Sequence, residues 1–334
     1  MGMENVNCNL CSADDSRLIY KKENYSVVRC KKCGLTYINP RPDKNELIMA
    51  VSGNFYRQHF IPITFNKHEN YQSYKGFLDG FKKYFRIGRL LEVGCASGLF
   101  LAAAKEEGWE VKGVDISEPA VGYGSKKLGL DIFLGELEEA SYPDEYFDVI
   151  ICRDTIEHIQ DPCGLLNEAN RILRKKGLIF ISTPNFNGLT RLFLMKEWSN
   201  IMPGHLYYFT NKTATKMLKI NGFGVLKRLT INIDPHEILL GGILRKDFQK
   251  KLVKMQPNSI DKIKLDKFPA CTVKEDIPQN RSIKPSNNIV NIIQSNKLST
   301  HFKRLANLIF NLFKTGDKLI IYAEKYTSTS SKNL

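Results

Sequence analysis

From Arg89 onward the sequence runs strand, turn, helix, strand, and few folds accommodate that order. Arg89-Leu90-Leu91-Glu92-Val93 is an apolar run of strand length, Gly94-Cys95-Ala96-Ser97-Gly98 is a turn of small residues, and 99–107 reads as a helix. A second strand over 111–114 ends at Asp115. The alternation is that of an α/β fold. Small residues let a backbone approach a ligand closely, and an acid closing the second strand can hold a ribose diol. These features point to a nucleoside-containing cofactor without yet choosing among such cofactors.

Spacing narrows the choice. A dinucleotide fingerprint requires G-x-G-x-x-G, which brings the pyrophosphate to a helix N-terminus. Here the order is Glu92-x-Gly94-x-Ala96-x-Gly98, a different spacing headed by an acid. It resembles motif I of the class I S-adenosylmethionine (SAM) methyltransferases, whose cofactor has no phosphate to cradle and carries a cationic amino-acid end. Ala96 stands where that family has its second glycine. The resemblance continues in order through Asp115-Ile116, Gly135-Glu136-Leu137, the 142–150 approach to a fourth strand, and Cys152-Arg153-Asp154-Thr155-Ile156-Glu157-His158. A helix over 162–173, a Lys175-Lys176-Gly177 turn and a strand over 178–183 complete the pattern. The resemblance implies a Rossmann-like, seven-stranded class I methyltransferase sheet. It also implies SAM held by Glu92, Gly94, Cys95, Ala96, Gly98, Asp115, Ile116, Glu136, Leu137 and Arg153, with Asp115 on the ribose hydroxyls and Glu136 near the adenine amine.

Methyl transfer is an in-line displacement, so the acceptor must be aligned past the carboxyl ends of strands four and five, and a hydroxyl acceptor must lose its proton. If the chain turns helical after Cys152, then Asp154, Glu157 and His158 share one face at i, i+3 and i+4. Such a trio can bind a divalent cation or act as an acid/base pair. His205, in Pro203-Gly204-His205-Leu206-Tyr207-Tyr208, is a further candidate. An acid-x2-Glu-His cluster, a Thr183-Pro184-Asn185 turn and a later histidine resemble the ubiquinone-type O-methyltransferases and the small-RNA 2′-O-methyltransferases. That resemblance implies a divalent ion at Asp154/Glu157/His158 polarising the acceptor, the later histidine completing the site in the RNA enzymes. Related small-molecule enzymes carry the Glu-His pair with no metal assigned, which leaves His158 or His205 as the base. Asp154 stands where glutamate is usual. The apolar stretch 189–202 is either a lid over the acceptor or a helix packed on the domain.

Upstream, Cys8-x2-Cys11 and Cys30-x2-Cys33 are separated by eighteen residues, the spacing of two knuckles joined by a hairpin around one zinc ion. Four thiolates fill a tetrahedral shell, so the ion would be structural. Strands over 17–20 and 25–28 around a polar turn make the module a zinc ribbon. Cys95, Cys152, Cys163 and Cys271 lack ligand spacing and read as free thiols. Gly34 to Pro42 is a proline-punctuated connector. Asp43 can cap a helix from Lys44 with Glu46 reciprocating, and Tyr74, Phe77, Leu78, Phe81 and Phe85 mark a helix over 71–85.

The net charge of +14 is unevenly spread: +6 over 1–88, −6 over 89–210 and +14 over 211–334. The presumed core is acidic, so the excess describes partners rather than an active-site groove. After a helix over 212–221 and a strand over 223–230, the antiparallel closing strand falls at 318–323. The expected partition is a ribbon and connector (1–42), a methyltransferase domain (43–230 with 316–325), a basic insertion (231–315) and a polar tail (326–334). An amphipathic helix over 300–313 within the insertion suits docking on its own domain or peripheral membrane contact through 298–314. The N-terminus lacks a signal peptide's apolar stretch, so a cytoplasmic location is expected.

Ribbon, connector and core together resemble the bacterial zinc-leader methyltransferases of sugar, polysaccharide and secondary-metabolite biosynthesis, over 8–230 and the last strand. This implies O-methylation of a small or carrier-linked hydroxyl compound. Two alternatives are an RNA methyltransferase, using ribbon and basic segment to clamp phosphates, and a non-catalytic scaffold that keeps the fold for partner binding.

Overall fold

The computed structural model describes residues 2–22, 25–52, 67–81, 84, 87–232 and 310–326. Two compact units divide the chain, Met1–Asp234 with Phe310–Leu334 and Pro235–Ile309, and all described residues belong to the first. The basic insertion and the expected amphipathic helix therefore lie outside the described residues, apart from a helical turn at 310–313 on which Leu312 and Phe313 are exposed.

The chain opens with β1 (Met3–Glu4), β2 (Ser16–Lys21), β3 (Ser26–Cys30), β4 (Thr36–Ile38), β5 (Arg41–Pro42), α1 (Lys44–Ser52) and α2 (Lys67–Phe81). The α/β part follows as β6 (Arg89–Val93), α3 (Leu99–Glu106), β7 (Glu110–Asp115), α4 (Glu118–Leu128), β8 (Ile132–Leu134), β9 (Phe147–Arg153), α5 (Pro162–Ile172) and β10 (Leu173–Pro184). Then come α6 (Leu189–Leu194), β11 (Tyr207–Tyr208), α7 (Asn211–Ile220), β12 (Phe223–Ile231) and β13 (Lys318–Lys325).

Seven strands form the central sheet in the order β12-β13-β10-β9-β6-β7-β8. β10, β9, β6, β7 and β8 are mutually parallel, and β13 is antiparallel to both β10 and β12. This is the Rossmann-like class I methyltransferase sheet, with its closing strand where the sequence placed it. A parallel sheet must be covered on both faces, which is why β9 and β10 bury the apolar runs Val149–Cys152 and Leu178–Ile181. In β9, Val149 and Ile151 pack with Leu78, Phe81 and Phe100, whereas Ile150 and Cys152 pack with Leu165, Leu166 and Ala169. α5 forms because Asp161 caps it, accepting from the Gly164 amide at 3.0 Å, and Pro162 suits its first turn.

Three local expectations change. The Lys175-Lys176-Gly177 turn is a bulge inside β10: its register against β9 slips between Leu173 and Leu178, and Lys176 takes a positive φ of 60°. The helix expected over 71–85 is α2, which ends at Phe81. The residues after Arg153 form a turn instead of a helix, because Asp154 sits at φ 50° and the Thr155 hydroxyl donates to the Arg153 carbonyl at 2.9 Å.

A second sheet has the order β11-β4-β3-β2 and is antiparallel throughout. Three of its strands come from the cysteine-bearing leader, and β11 comes from the segment after His205. Val27 and Ile38 of the leader pack with Phe186, Leu194, Trp198, Ile201 and Tyr208, so Leu194, Trp198 and Ile201 of the 189–202 stretch are buried against the leader while Leu192, Phe193, Met195 and Met202 are exposed.

Phe180 lies in β10 with Phe77, Phe81 and Tyr322 around it at centroid distances of 4.6, 5.8 and 5.0 Å. Phe180→Ala is expected to lower unfolding free energy by about 3–5 kcal/mol in urea titration. A loss below about 1 kcal/mol would contradict this packing.

Candidate active site

The cofactor-side residues gather at the carboxyl ends of β6, β7, β8 and β9. The turn after β6 has left-handed backbone at Gly94 (φ 70°), Ala96 (φ 48°) and Gly98 (φ 76°). Gly94 needs to be glycine for space as well as angle, since a Cβ there would come within 2.4 Å of the Thr155 side chain. Asp115 is oriented by two amides, Ala96 N donating to Oδ2 at 2.7 Å and Ser117 N to Oδ1 at 2.8 Å. Each oxygen keeps acceptor capacity for a diol. Burial raises the Asp115 pKa, and the two amides only partly oppose it.

Glu92 is 1% exposed. Its Oε1 takes the Arg153 guanidinium at 2.6 Å (Nη2) and 2.8 Å (Nε), while Oε2 has no hydrogen-bond partner. An orphaned, buried carboxylate oxygen beside the glycine turn fits a cationic amino-acid end. Burial raises the Glu92 pKa against the pull of Arg153. Arg153 is itself positioned by Phe100, whose ring centroid lies 4.3 Å away, and Tyr74, at 5.3 Å. Cys95 is buried, its thiol filling the space above Gly113, and burial pushes its pKa up. Ile116 is half-buried after Asp115, and Leu137 is buried. Glu136 pairs with Lys44 of α1 at 2.8 Å, a contact from the leader side that no local sequence signal indicated.

On the acceptor side the structure brings Glu157, His158 and His205 together, each offering a ligand atom, all within 4.8 Å of one another. Asp154 turns away, accepting from the Ser182 hydroxyl at 3.2 Å and from Lys318 Nζ at 2.6 Å. Both Glu157 oxygens, the Thr183 hydroxyl and His205 Nδ1 are buried with no hydrogen-bond partner. Burial and Asp154 raise the Glu157 pKa to about 8. Burial and neighbouring His158 lower that of His205 to about 4, so its imidazole is neutral near pH 7. His158 Nδ1 donates to the Gly204 carbonyl at 2.7 Å, which leaves Nε2 with the lone pair. The two imidazole rings meet edge to face at 4.6 Å. A pKa of about 8 leaves Glu157 largely protonated near pH 7, and a cation shared with two imidazoles would favour its carboxylate.

The four cysteines also converge, Cys8 Sγ to Cys33 Sγ at 3.4 Å and Cys11 Sγ to Cys30 Sγ at 3.5 Å, all four sulfurs within 4.8 Å. Zinc–sulfur bonds of about 2.3 Å give a tetrahedral edge of about 3.8 Å, so the cluster fits one zinc ion after slight expansion. Gly34, at φ 81°, lets its amide reach the Cys30 carbonyl at 3.0 Å and shape the second knuckle. No described helix is long and apolar enough to cross a membrane.

Residues 66–228 match a family described as a methyltransferase domain. The ubiquinone biosynthesis O-methyltransferase of Thiobacillus denitrificans is 31% identical over 111 residues, 31% of this chain and 47% of that protein. An uncharacterized protein of Methanocaldococcus jannaschii is 28% identical over 160 residues, covering 48% of this chain and 76% of its own length. The chain thus spans about half the length of the ubiquinone-type relatives it matches. A SAM-dependent methyltransferase structure from Archaeoglobus fulgidus aligns over 76% of this chain and 94% of its own, at 22% identity and a TM-score of 0.46. Residues 66–228 thus match a methyltransferase domain, and the strand order is that of the class I fold.

Two outcomes follow from this geometry. Because the raised pKa keeps a proton on folded Asp115 to higher pH than in the unfolded chain, its favourable contribution is complete below about pH 4 and is lost as pH rises through the raised value. Asp115→Asn should therefore gain stability relative to the native chain as pH rises from about 4 to 7 in urea unfolding; a relative loss contradicts burial as the cause. Chelation of protein first loaded with zinc at the cysteine cluster should raise amide exchange at Leu206, Tyr207 and Tyr208 as well as across β2 to β4, since one sheet joins them. Unchanged exchange at Leu206–Tyr208 contradicts that coupling.

Proposed function

We propose that the chain is a SAM-dependent O-methyltransferase acting on a hydroxyl of a small or carrier-linked metabolite, with Glu157, His158 and His205 as its acceptor-activating set around one divalent cation. The observation that carries this reading is the convergence of an unpartnered buried carboxylate with two imidazoles at the carboxyl end of β9. The relatives named as ubiquinone biosynthesis O-methyltransferases support a hydroxyl as acceptor.

When bound, SAM supplies an electrophilic methyl on a sulfonium centre. Asp115 holds the ribose, its oxygens aimed by Ala96 N and Ser117 N; the 94–98 turn admits the cofactor backbone-close; Glu92 Oε2 receives the cationic end. A divalent cation at the second cluster would lower the acceptor hydroxyl's pKa. His158, fixed through Nδ1, would offer the Nε2 lone pair to the cation, and neutral His205 would complete the donor set. Lys318 neutralises Asp154, limiting the negative charge beside Glu157. The cysteine cluster, a closed four-thiolate shell once zinc-loaded, takes no direct part in the chemistry.

Mn2+ titration of the zinc-loaded protein is expected to show one site outside the ribbon, weakened at least tenfold in Glu157→Gln and His205→Ala. Methyl-labelled SAM offered with catechols, nucleotide sugars or lipid-linked saccharides should place label on oxygen, with Mn2+ stimulation lost in both variants. Unchanged Mn2+ affinity in both, or label appearing only on nitrogen or carbon, would overturn the reading.

A further inference from the structure

The proline-flanked segment Asn39-Pro40-Arg41-Pro42 reads from sequence as a connector, yet its arginine touches both loops that carry the histidines. Arg41 Nη1 donates to the Gln160 carbonyl at 2.7 Å and to Tyr207 Oη at 3.0 Å. Tyr207 Oη in turn donates to the same Gln160 carbonyl at 2.8 Å, closing a three-membered network. Gln160 lies two residues after His158, and Tyr207 two residues after His205. The Arg41 side chain is only 12% exposed, and its Nε is held by Glu4 Oε1 at 2.8 Å. β5, which contains Arg41, is itself paired with β1, Arg41 opposite Glu4.

Backbone contacts run parallel to this network. The Ile38 amide donates to the Leu206 carbonyl at 2.9 Å, and the Tyr207 amide donates to the Glu157 carbonyl at 3.2 Å. The Gln160 side chain donates to the Pro42 carbonyl at 3.3 Å. These backbone bonds fix where the loops run. The arginine adds a charge-assisted donor shared between them, stronger and more directional than neutral bonds. Its two loop acceptors lie on the two segments whose separation sets the His158–His205 spacing. A lysine has the charge without the planar fork, so it cannot hold Glu4 and both loops in the same geometry.

We propose that Arg41 is a positioning residue, a guanidinium clamp from the leader that sets the spacing of His158 and His205 and so tunes the acceptor site. The inference rests on the reading of those histidines as acceptor-activating groups. It gives the cysteine-bearing leader a task in the reaction, since the leader delivers the clamp.

The test compares Arg41→Ala, Arg41→Lys, Tyr207→Phe and Glu4→Gln in the full chain, each with zinc content and SAM affinity checked. Arg41→Ala is expected to shift the imidazole NMR signals of both His158 and His205, to weaken Mn2+ binding at least tenfold, and to lower kcat at least tenfold with the KM for SAM within twofold. Arg41→Lys should recover less than half of the lost kcat. Tyr207→Phe should fall between Arg41→Ala and the native chain. Glu4→Gln, which leaves both loop contacts in place, should stay within about threefold. Arg41→Ala or Tyr207→Phe with both imidazole signals unmoved, or Arg41→Lys matching the native chain, would overturn the proposal. Imidazole shifts in a protein that binds no Mn2+ would uphold the clamp and overturn the cation, which separates the two failures.

Discussion

Two backbone hydrogen bonds on either side of one peptide unit tie Glu157 and the segment after His205 to the leader. The Leu206 carbonyl accepts from Ile38 of the leader, and the next amide, of Tyr207, donates to Glu157. Strand β11 is two residues long and has no stability of its own. It exists because β4 offers an edge and because its own Tyr207 and Tyr208 are buried, as is Tyr37 opposite Tyr207. His205 is the residue before this doubly tethered unit, so its position is inherited from the ribbon sheet. Cys8, Cys30 and Cys33 pack in one buried cluster with Tyr37, Leu206 and Tyr207, so the cysteine knuckles border the template on which the histidine is mounted.

The buried charges divide into two kinds. Glu92 and Arg153 compensate each other, and aromatic rings hold the arginine in place. Breaking such a pair by removing one partner leaves a buried charge exposed to full desolvation cost. Asp115 and Glu157 have no cationic side chain hydrogen-bonded to them, and burial raises the pKa of both. Both are placed where an external group would complete them: a diol at Asp115 and a cation at Glu157. Sites that sacrifice stability in this way are where function concentrates.

The parts of the site legible in the sequence are those fixed by strand ends. Glu92, Gly94 and Asp115 are set by where β6 and β7 stop, and stops are encoded locally by small residues and acids. The closing strand was legible too, since Asp317-Lys318 and the apolar run after it carry their own signal. What the sequence pattern missed depends on contacts between distant segments. Helical spacing put Asp154 beside Glu157 and His158, but Asp154 takes a positive φ and pairs with Lys318, and it is His205, a candidate by resemblance alone, that joins them. Arg41 and β11 had no periodicity to betray them: two residues make no pattern, and a proline-rich connector reads as a spacer.

The central claim is that the cradle at the carboxyl ends of β6 and β7 binds SAM in a zinc-loaded, folded chain. Titration calorimetry of SAM into that chain, with its demethylated product as competitor, tests it most directly. Saturable one-to-one binding with competition by the product is the predicted result. A folded, zinc-loaded protein that shows neither heat nor competition would contradict the account.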